Sequence, residues 1–202
     1  VCYSNHTDAS LLALWRGGDP VAGGALVRRH HPRIRRVFCI SASNPDWVED
    51  MVQQTFLIFC ERRDHIEDPE KIRSYLLGIA HNLLRGYFRD KKKCGGNGHV
   101  DFDDMTVMEI HGTGFTTLFS NRQERLLLMR AMRRISVPDQ LILQYKYWDD
   151  LTNREIAEII EVPIGTLAGR IAAAKRRLGA ELQRLRNLGH LLQSGSSQRA
   201  AS

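Results

Sequence analysis

Arg170, Lys175, Arg176, Arg177 and Arg184 recur along the last third of the chain, with Thr166 ahead of them. They fall on one side of a helix, where cations can neutralise phosphates and, when bidentate, read guanine edges. A second group is Gly78, Asn82, Arg85 and Arg89, at intervals of four, three and four, flanked by His81, Phe88 and Lys92. An Asn and Arg row with aromatics beside it can hold phosphates and hydrogen-bond or stack exposed bases. The closing run Lys91-Lys92-Lys93 also complements a helix dipole, which needs no ligand. A third group, Glu49, Asp50, Gln53 and Leu57, makes an acidic face with one exposed leucine. Phosphates would repel it, so it suits a protein partner or plain solvent. No Ser/His/Asp, Cys/His or paired-carboxylate grouping stands out, so no catalysis and no cofactor are expected.

The elements that must position these groups read as helices throughout, with no strand alternation and no internal repeat. Residues 152–178 form a helix, a tight turn and a second helix, the geometry that places a recognition helix in a major groove. Thr152 and Glu155 make a capping box, and Ile156, Ile159 and Ile160 give one apolar face. Pro163 is expected to stop the first helix and Gly165 to ease the turn. Leu167, Ile171, Ala174, Leu178, Leu182 and Leu185 are the inner stripe of the second.

Towards the N-terminus, Ala9 to Trp15 reads as a short helix ended near Gly17-Gly18. A longer one runs from Asp19-Pro20 to about Ile40, with Leu26, Ile34, Val37 and Phe38 as core. Asn44-Pro45-Asp46 is a turn and cap, followed by a helix from Trp47 to about Arg62 on Val48, Val52, Thr55, Phe56 and Phe59. Arg62 to Pro69 is a polar loop. Pro69 opens a helix to about Lys93, with Ile72, Leu76, Ile79, Leu83 and Tyr87 on its apolar side.

With 202 residues the chain can form one large or two small domains, and its net charge of +6 suits a polyanion partner. Charge is uneven: residues 1–93 hold 15 basic and 11 acidic side chains, 121–202 hold 14 and 8, and 94–120 hold four acids and no Lys or Arg. Gly95, Gly96, Gly98, Gly112 and Gly114 give that acidic stretch a linker composition. Two small helical domains, 9–93 and 121–190, are thus expected on either side of a linker at 94–120. The Ser, Gly, Gln and Ala of 191–202 read as a disordered tail. No run is long enough to span a membrane and no signal-like start is present, so a cytoplasmic protein is expected. Cys2, Cys39, Cys60 and Cys94 lie far apart and read as reduced thiols. Cys94 and His99 lack a second pair of metal ligands. The adjacent His30 and His31 read as surface residues.

The order of the parts carries a resemblance. Asp46-Trp47-Val48-Glu49-Asp50-Met51-Val52-Gln53-Gln54-Thr55-Phe56 is followed by Ser74-Tyr75-Leu76-Leu77-Gly78-Ile79-Ala80-His81-Asn82-Leu83, then the linker and the 152–178 segment. Together they resemble the extracytoplasmic-function (group 4) sigma-70 family of bacterial RNA polymerase sigma factors, over about residues 9 to 188. The resemblance implies an all-α, two-domain protein, region 2 and region 4, that binds core polymerase, selects promoters and melts the −10 element.

Its site residues follow by position. Glu49, Asp50, Gln53, Gln54 and Leu57 match the face that docks on the clamp coiled coil of the largest polymerase subunit. The loop holding Arg62, Arg63 and Asp64, with Arg73 early in the next helix, matches the segment that captures a flipped −10 base. His81, Asn82, Arg85 and Arg89 match the surface that holds the melted strand. The linker matches the segment threading the polymerase cleft and RNA exit channel. Thr152, Asn153, Arg154, Gly165, Thr166, Ala168, Gly169, Arg170, Ala173, Lys175, Arg176 and Arg177 match the reader of the −35 duplex, beside the flap of the second-largest subunit. An anti-sigma factor is the further partner that the resemblance implies.

The sequence departs from the family pattern at informative places. His81 stands where Arg is usual, and Gln54 replaces a common acid. Ala168 and Gly169 stand where Lys or Arg and then Ser are usual, and Ala172 and Ala173 follow. Bidentate guanine contacts are each worth about 1–3 kcal/mol of discrimination and need Arg or Lys. The −35 reading is therefore expected to lean on backbone contacts and groove shape. A conventional helix-turn-helix regulator is the competing reading. The 46–56 face and the Asn82 stripe weigh against it, because a sensor domain needs neither. An all-helical enzyme or metal sensor has no supporting constellation.

Overall fold

The computed structural model describes residue 3 and residues 5–41, 44–93 and 122–199. Eight α-helices and two short 3-10 turns account for them, with no strand among the described residues. They divide into two compact units. The linker expected at 94–120 lies outside the described residues, as do Cys2, Cys94, His99 and the four linker acids.

In the first unit, α1 (Asp8–Arg16), α2 (Pro20–Ser41), α3 (Pro45–Glu61) and α4 (Ile72–Lys93) pack with α2 against each of the others. The starts of α1, α2 and α3 each have a side-chain acceptor where the backbone leaves donors unpaired. Thr7 Oγ1 accepts from Ser10 N at 3.2 Å, Asp19 Oδ1 from Val21 N at 2.9 Å, and Asn44 Oδ1 from Asp46 N at 2.9 Å. Pro20 and Pro45 sit in first turns, where a missing N–H costs nothing. Between α1 and α2 the chain turns at Gly18, whose φ of +99° suits glycine. Leu11, Leu12, Leu26, Ile34, Val37, Phe38, Val48, Val52, Phe59, Ile72 and Leu76 form the core.

Three expectations change here. The polar loop after α3 contains two 3-10 turns, Arg63–His65 and Pro69–Lys71, so α4 begins at Ile72 rather than Pro69. The buried side of α4 is Ile72, Leu76, Leu77, Ala80 and Leu84, while Ile79, Leu83 and Tyr87 are half-buried. The inner stripe is thus rotated by one residue, onto the small Ala80 that lets helices approach. His30 is a core residue rather than a surface one. Its ring is 3% exposed, with Nε2 2.7 Å from Asp8 Oδ2, and Arg29 Nη1 reaches Asp8 Oδ1 at 2.6 Å. This pairing joins α1 to α2 and, led by the His30 hydrogen bond, lowers the Asp8 pKa to about 2. His31 is half-buried and stacks on Phe56 at a centroid distance of 6.1 Å.

Next along the chain, α5 (Arg122–Arg134), α6 (Val137–Tyr147), α7 (Asn153–Ile159) and α8 (Ile164–Arg199) follow one another, with α8 packed on α5 and α6; all but the end of α7, Ala157–Ile159, group in the second unit. Leu128, Ala131 and Met132 are buried on α5, and Leu141, Ile142, Leu143 and Tyr145 on α6. Leu167, Ala174 and Leu178 are buried on α8 as the stripe predicts, and Ile171, Leu182 and Leu185 are half-buried. No proline interrupts α8, and its backbone continues to Arg199, past the start of the expected tail. Residues 200–202 lie outside the described residues.

Cys39 is buried, Cys60 is half-buried, and neither is in a disulfide. Burial pushes the Cys60 thiol pKa up, which keeps it protonated. Among the described residues no helix is long and apolar enough to cross a membrane, and no cluster of metal ligands occurs.

Candidate functional site

Three surfaces carry the candidate residues. On α3, Val48, Val52, Thr55, Phe56 and Phe59 face inward and leave Asp50, Gln53, Gln54 and Leu57 exposed on the opposite side. Leu57 is 59% exposed. Hydrophobic burial would ordinarily favour covering such a side chain, and three polar neighbours surround it. Glu49 has a different setting. Its Oε1 accepts from Arg35 Nε at 2.6 Å, an ion pair that ties α3 to α2.

The second surface runs along α4 and the preceding loop. Asn82, Arg85 and Arg89 are all exposed, as the 4-3-4 spacing predicts, while His81 and Arg73 are half-buried. Burial, and then the Arg85 guanidinium, hold the His81 pKa below its ordinary value. His81 is therefore neutral at neutral pH and offers a hydrogen bond rather than a charge. Lys92 lies in the part of α4 whose side chains fall outside the described residues, as do Lys91 and Lys93.

In the loop, Arg62 closes α3 and Asp64 is exposed. Arg63 lays its guanidinium over the Trp15 ring at 5.3 Å from the centroid. Sequence reasoning missed two residues here, both on α1. Arg16 donates from Nε and Nη2 to the Arg63 carbonyl at 2.9 and 2.6 Å, and from Nη2 to the Ile66 carbonyl at 2.7 Å. The 47 positions separating Arg16 from Arg63 leave no periodic signal that could have found the pair.

The third surface is the helix-turn-helix. The capping box is realised in both directions: Thr152 N donates to Glu155 Oε2 at 2.8 Å, and Glu155 N to Thr152 Oγ1 at 3.2 Å. Asn153 and Arg154 are exposed in the first turn of α7. The turn is made differently from expectation. Glu161, not Gly165, takes the left-handed backbone with φ of +55°. Gly165 lies inside α8, whose start is closed by Thr166 Oγ1 donating to the Pro163 carbonyl at 2.8 Å. Gly165, Thr166, Ala168, Gly169 and Arg170 are all exposed, and Ala173 is half-buried.

The cations of α8 do not all point away from the protein. Arg177 Nη1 donates to both carboxylate oxygens of Asp139, at 2.9 and 3.0 Å. Asp139 is buried and also accepts from the Ser136 hydroxyl that caps α6. Arg177 therefore ties α8 to α6. Lys175 lies over the Tyr147 ring at 5.8 Å from its centroid, while Arg170 and Arg176 are exposed.

An all-α chain with a helix-turn-helix unit and a second unit bearing an Asn–Arg stripe beside an acidic-apolar face belongs to the class of helical transcription proteins. Comparison with known proteins sharpens this. The model for sigma-70 region 2 matches residues 26–94, and that for sigma-70 region 4 matches residues 125–178. The ECF RNA polymerase sigma-E factor of Escherichia coli is 26% identical over 187 residues, 89% of this chain and 96% of that protein. The RNA polymerase sigma factor HrpL of Pseudomonas syringae pv. syringae is 27% identical over 139 residues, 69% of this chain and 75% of that protein.

Two solved structures share the fold. The sigma factor RpoE of Bartonella quintana, in complex with the anti-sigma factor NepR, has a TM-score of 0.60 at 19% identity, covering 76% of this chain and 91% of that one. CnrH, in complex with the cytosolic domain of CnrY, has a TM-score of 0.62 at 22% identity, covering 88% and 97%. The chain belongs to the extracytoplasmic-function group of the sigma-70 family. It is an alternative sigma factor that directs RNA polymerase to promoters, and sigma factors as a class are not catalytic.

Proposed function

We propose that the three surfaces divide the work of this sigma factor between core polymerase, melted DNA and duplex DNA. Asp50, Gln53, Gln54 and Leu57 dock on the clamp coiled coil of the largest polymerase subunit, with Glu49 shaping the face through Arg35. The loop of Arg62, Arg63 and Asp64, with Arg73, takes a flipped −10 base, and His81, Asn82, Arg85 and Arg89 hold the melted strand. The helix-turn-helix, from Thr152, Asn153 and Arg154 through Arg170, Lys175 and Arg176, anchors on the −35 duplex beside the flap. Residues 9–93 and 121–190 act as the two domains and 94–120 as the acidic linker between them. The protein acts in the cytoplasm, where its polymerase is, and adds no chemistry of its own. An anti-sigma factor that covers the α3 and α8 surfaces would keep it inactive. Both solved neighbours are complexes with a regulator or a partner's cytosolic domain, which supports that reading.

The observation that carries the assignment is the exposed Leu57 among Asp50, Gln53 and Gln54, on a helix whose other face is fully built into the core. The test combines the purified chain with core polymerase on supercoiled genomic DNA. Initiated transcripts are expected with the native chain and none with Asp50→Ala/Leu57→Asp. Asn82→Ala/Arg85→Ala should keep polymerase binding but fail to open promoters. Full polymerase binding by the α3 double variant would overturn the division of labour.

A further inference from the structure

Arg16 stands outside every surface assigned above, yet it makes three hydrogen bonds to the loop after α3. Its guanidinium bonds two backbone carbonyls, Arg63 and Ile66, with three hydrogen bonds of 2.6–2.9 Å. Those carbonyls bracket the 3-10 turn Arg63–His65. A second α1 residue supports the same loop: the Trp15 ring lies under the Arg63 guanidinium and against Phe59 of α3. Ile66, buried between the two 3-10 turns, plugs the loop into the core. The loop's exposed side chains, Arg62, Asp64 and His65, thus project from a backbone fixed at both ends and on one side.

Such bracing matters for reading a single base. A loop that must order itself as the base arrives loses affinity for every base and discrimination between them. Carbonyl groups held by a cation also cannot turn outward, where they would repel phosphate or accept from the wrong base. A lysine could not replace the fork, because one ammonium on a flexible stem cannot hold two carbonyls in fixed geometry.

We propose that Arg16 is a positioning residue for promoter selectivity: from α1 it pre-forms the loop at 62–68 that discriminates the −10 base. The inference rests on the reading that this loop takes that base. In this role Arg16 acts through the backbone of Arg63 and Ile66.

The experiment measures transcription by the full chain with core polymerase on a promoter carrying each of the four bases at the captured −10 position. The readout is the ratio of best to worst base. Arg16→Ala should lower that ratio by about fivefold, with Arg16→Lys recovering only part of it. Polymerase binding and the thermal midpoint of the chain are read alongside. A merely structural role would lower transcription on all four templates equally and leave the ratio intact, which would overturn the proposal. Arg62→Ala/Asp64→Ala separates the two layers. If that loop variant keeps the native ratio, the loop does not read the base and the underlying reading fails. If it flattens the ratio while Arg16→Ala does not, the reading stands and the role of Arg16 fails.

Discussion

Two neighbouring glycines in α2 should respond oppositely to the same substitution. An ideal Cβ on Gly23 would lie 2.5, 2.6 and 2.8 Å from Cε2, Nε1 and Cδ1 of Trp15. These are atoms of a rigid ring, itself packed on Phe59 and beneath Arg63. To reach ordinary contact at 3.4 Å the ring must retreat by about 0.9 Å. Overpacking of this kind costs about 1–3 kcal/mol, and the better helix propensity of alanine returns about 1 kcal/mol. Gly23→Ala is therefore expected to destabilise the first unit by about 1 kcal/mol. Gly24→Ala meets only the tip of Arg28, Nη1 at 3.3 Å, which can swing aside. It should keep the whole propensity gain and stabilise by about 1 kcal/mol. Thermal unfolding followed by circular dichroism should place the two variants on opposite sides of the native Tm, each shifted by about 4–8 °C for a domain of this size. Equal shifts, or a Gly23→Ala variant more stable than the native chain, would refute the close approach of α1 to α2 at Trp15.

Four further outcomes follow from the same geometry. Leu57→Asp should weaken polymerase binding about tenfold or more, the worth of one buried leucine, without changing Tm, as read by equilibrium binding. Asp8 has its pKa lowered to about 2 against an ordinary 3.8, so its pairing stabilises the fold fully above pH 4 and progressively less as pH falls towards 2. Asp8→Asn should cost about 2 kcal/mol at pH 6 in denaturant titrations, and the gap should shrink through pH 3 and close only as pH falls below about 2. Gly169→Arg adds a cation where nothing lies within 4 Å, so −35 duplex affinity should rise and the salt slope, log K against log [salt], should steepen by about one unit. Asp139→Ala should cost the second unit about 1 kcal/mol in urea unfolding, because it releases both Arg177 and Ser136.

Features set by neighbours in sequence were readable from it. The Thr152/Glu155 box, the caps at Asn44 and Asp19, the buried side of α3 and the inner stripe of α8 depend on spacings of two to four residues. The residues that the sequence misplaced depend on partners further away. His30 is buried because Asp8, on another helix, supplies a carboxylate for it, and nothing in the run Arg29-His30-His31 announces that. Arg177 reads as a fifth cation for DNA until Asp139 is brought beside it across 38 positions. On α4 the apolar positions are so numerous that two stripes one residue apart fit equally well. Packing on α2 and α3 chose the one through Ala80, a residue too small to weigh in a pattern of large side chains. The turn at Glu161 shows another limit: a left-handed residue is expected to be glycine or asparagine, and here the chain places a glutamate there instead.

The first turns of α8 have one further implication. Leu167, Ala174 and Leu178 hold the helix from behind, while Gly165 and Gly169 open onto empty space on the other side. If α8 reads the −35 duplex as proposed, what the helix needs for folding and what it presents to DNA are written in different residues. Promoter preference can then drift, or be redesigned, one outward position at a time with little effect on whether the protein folds. A sigma factor built this way can acquire a new set of target genes without passing through an unstable ancestor.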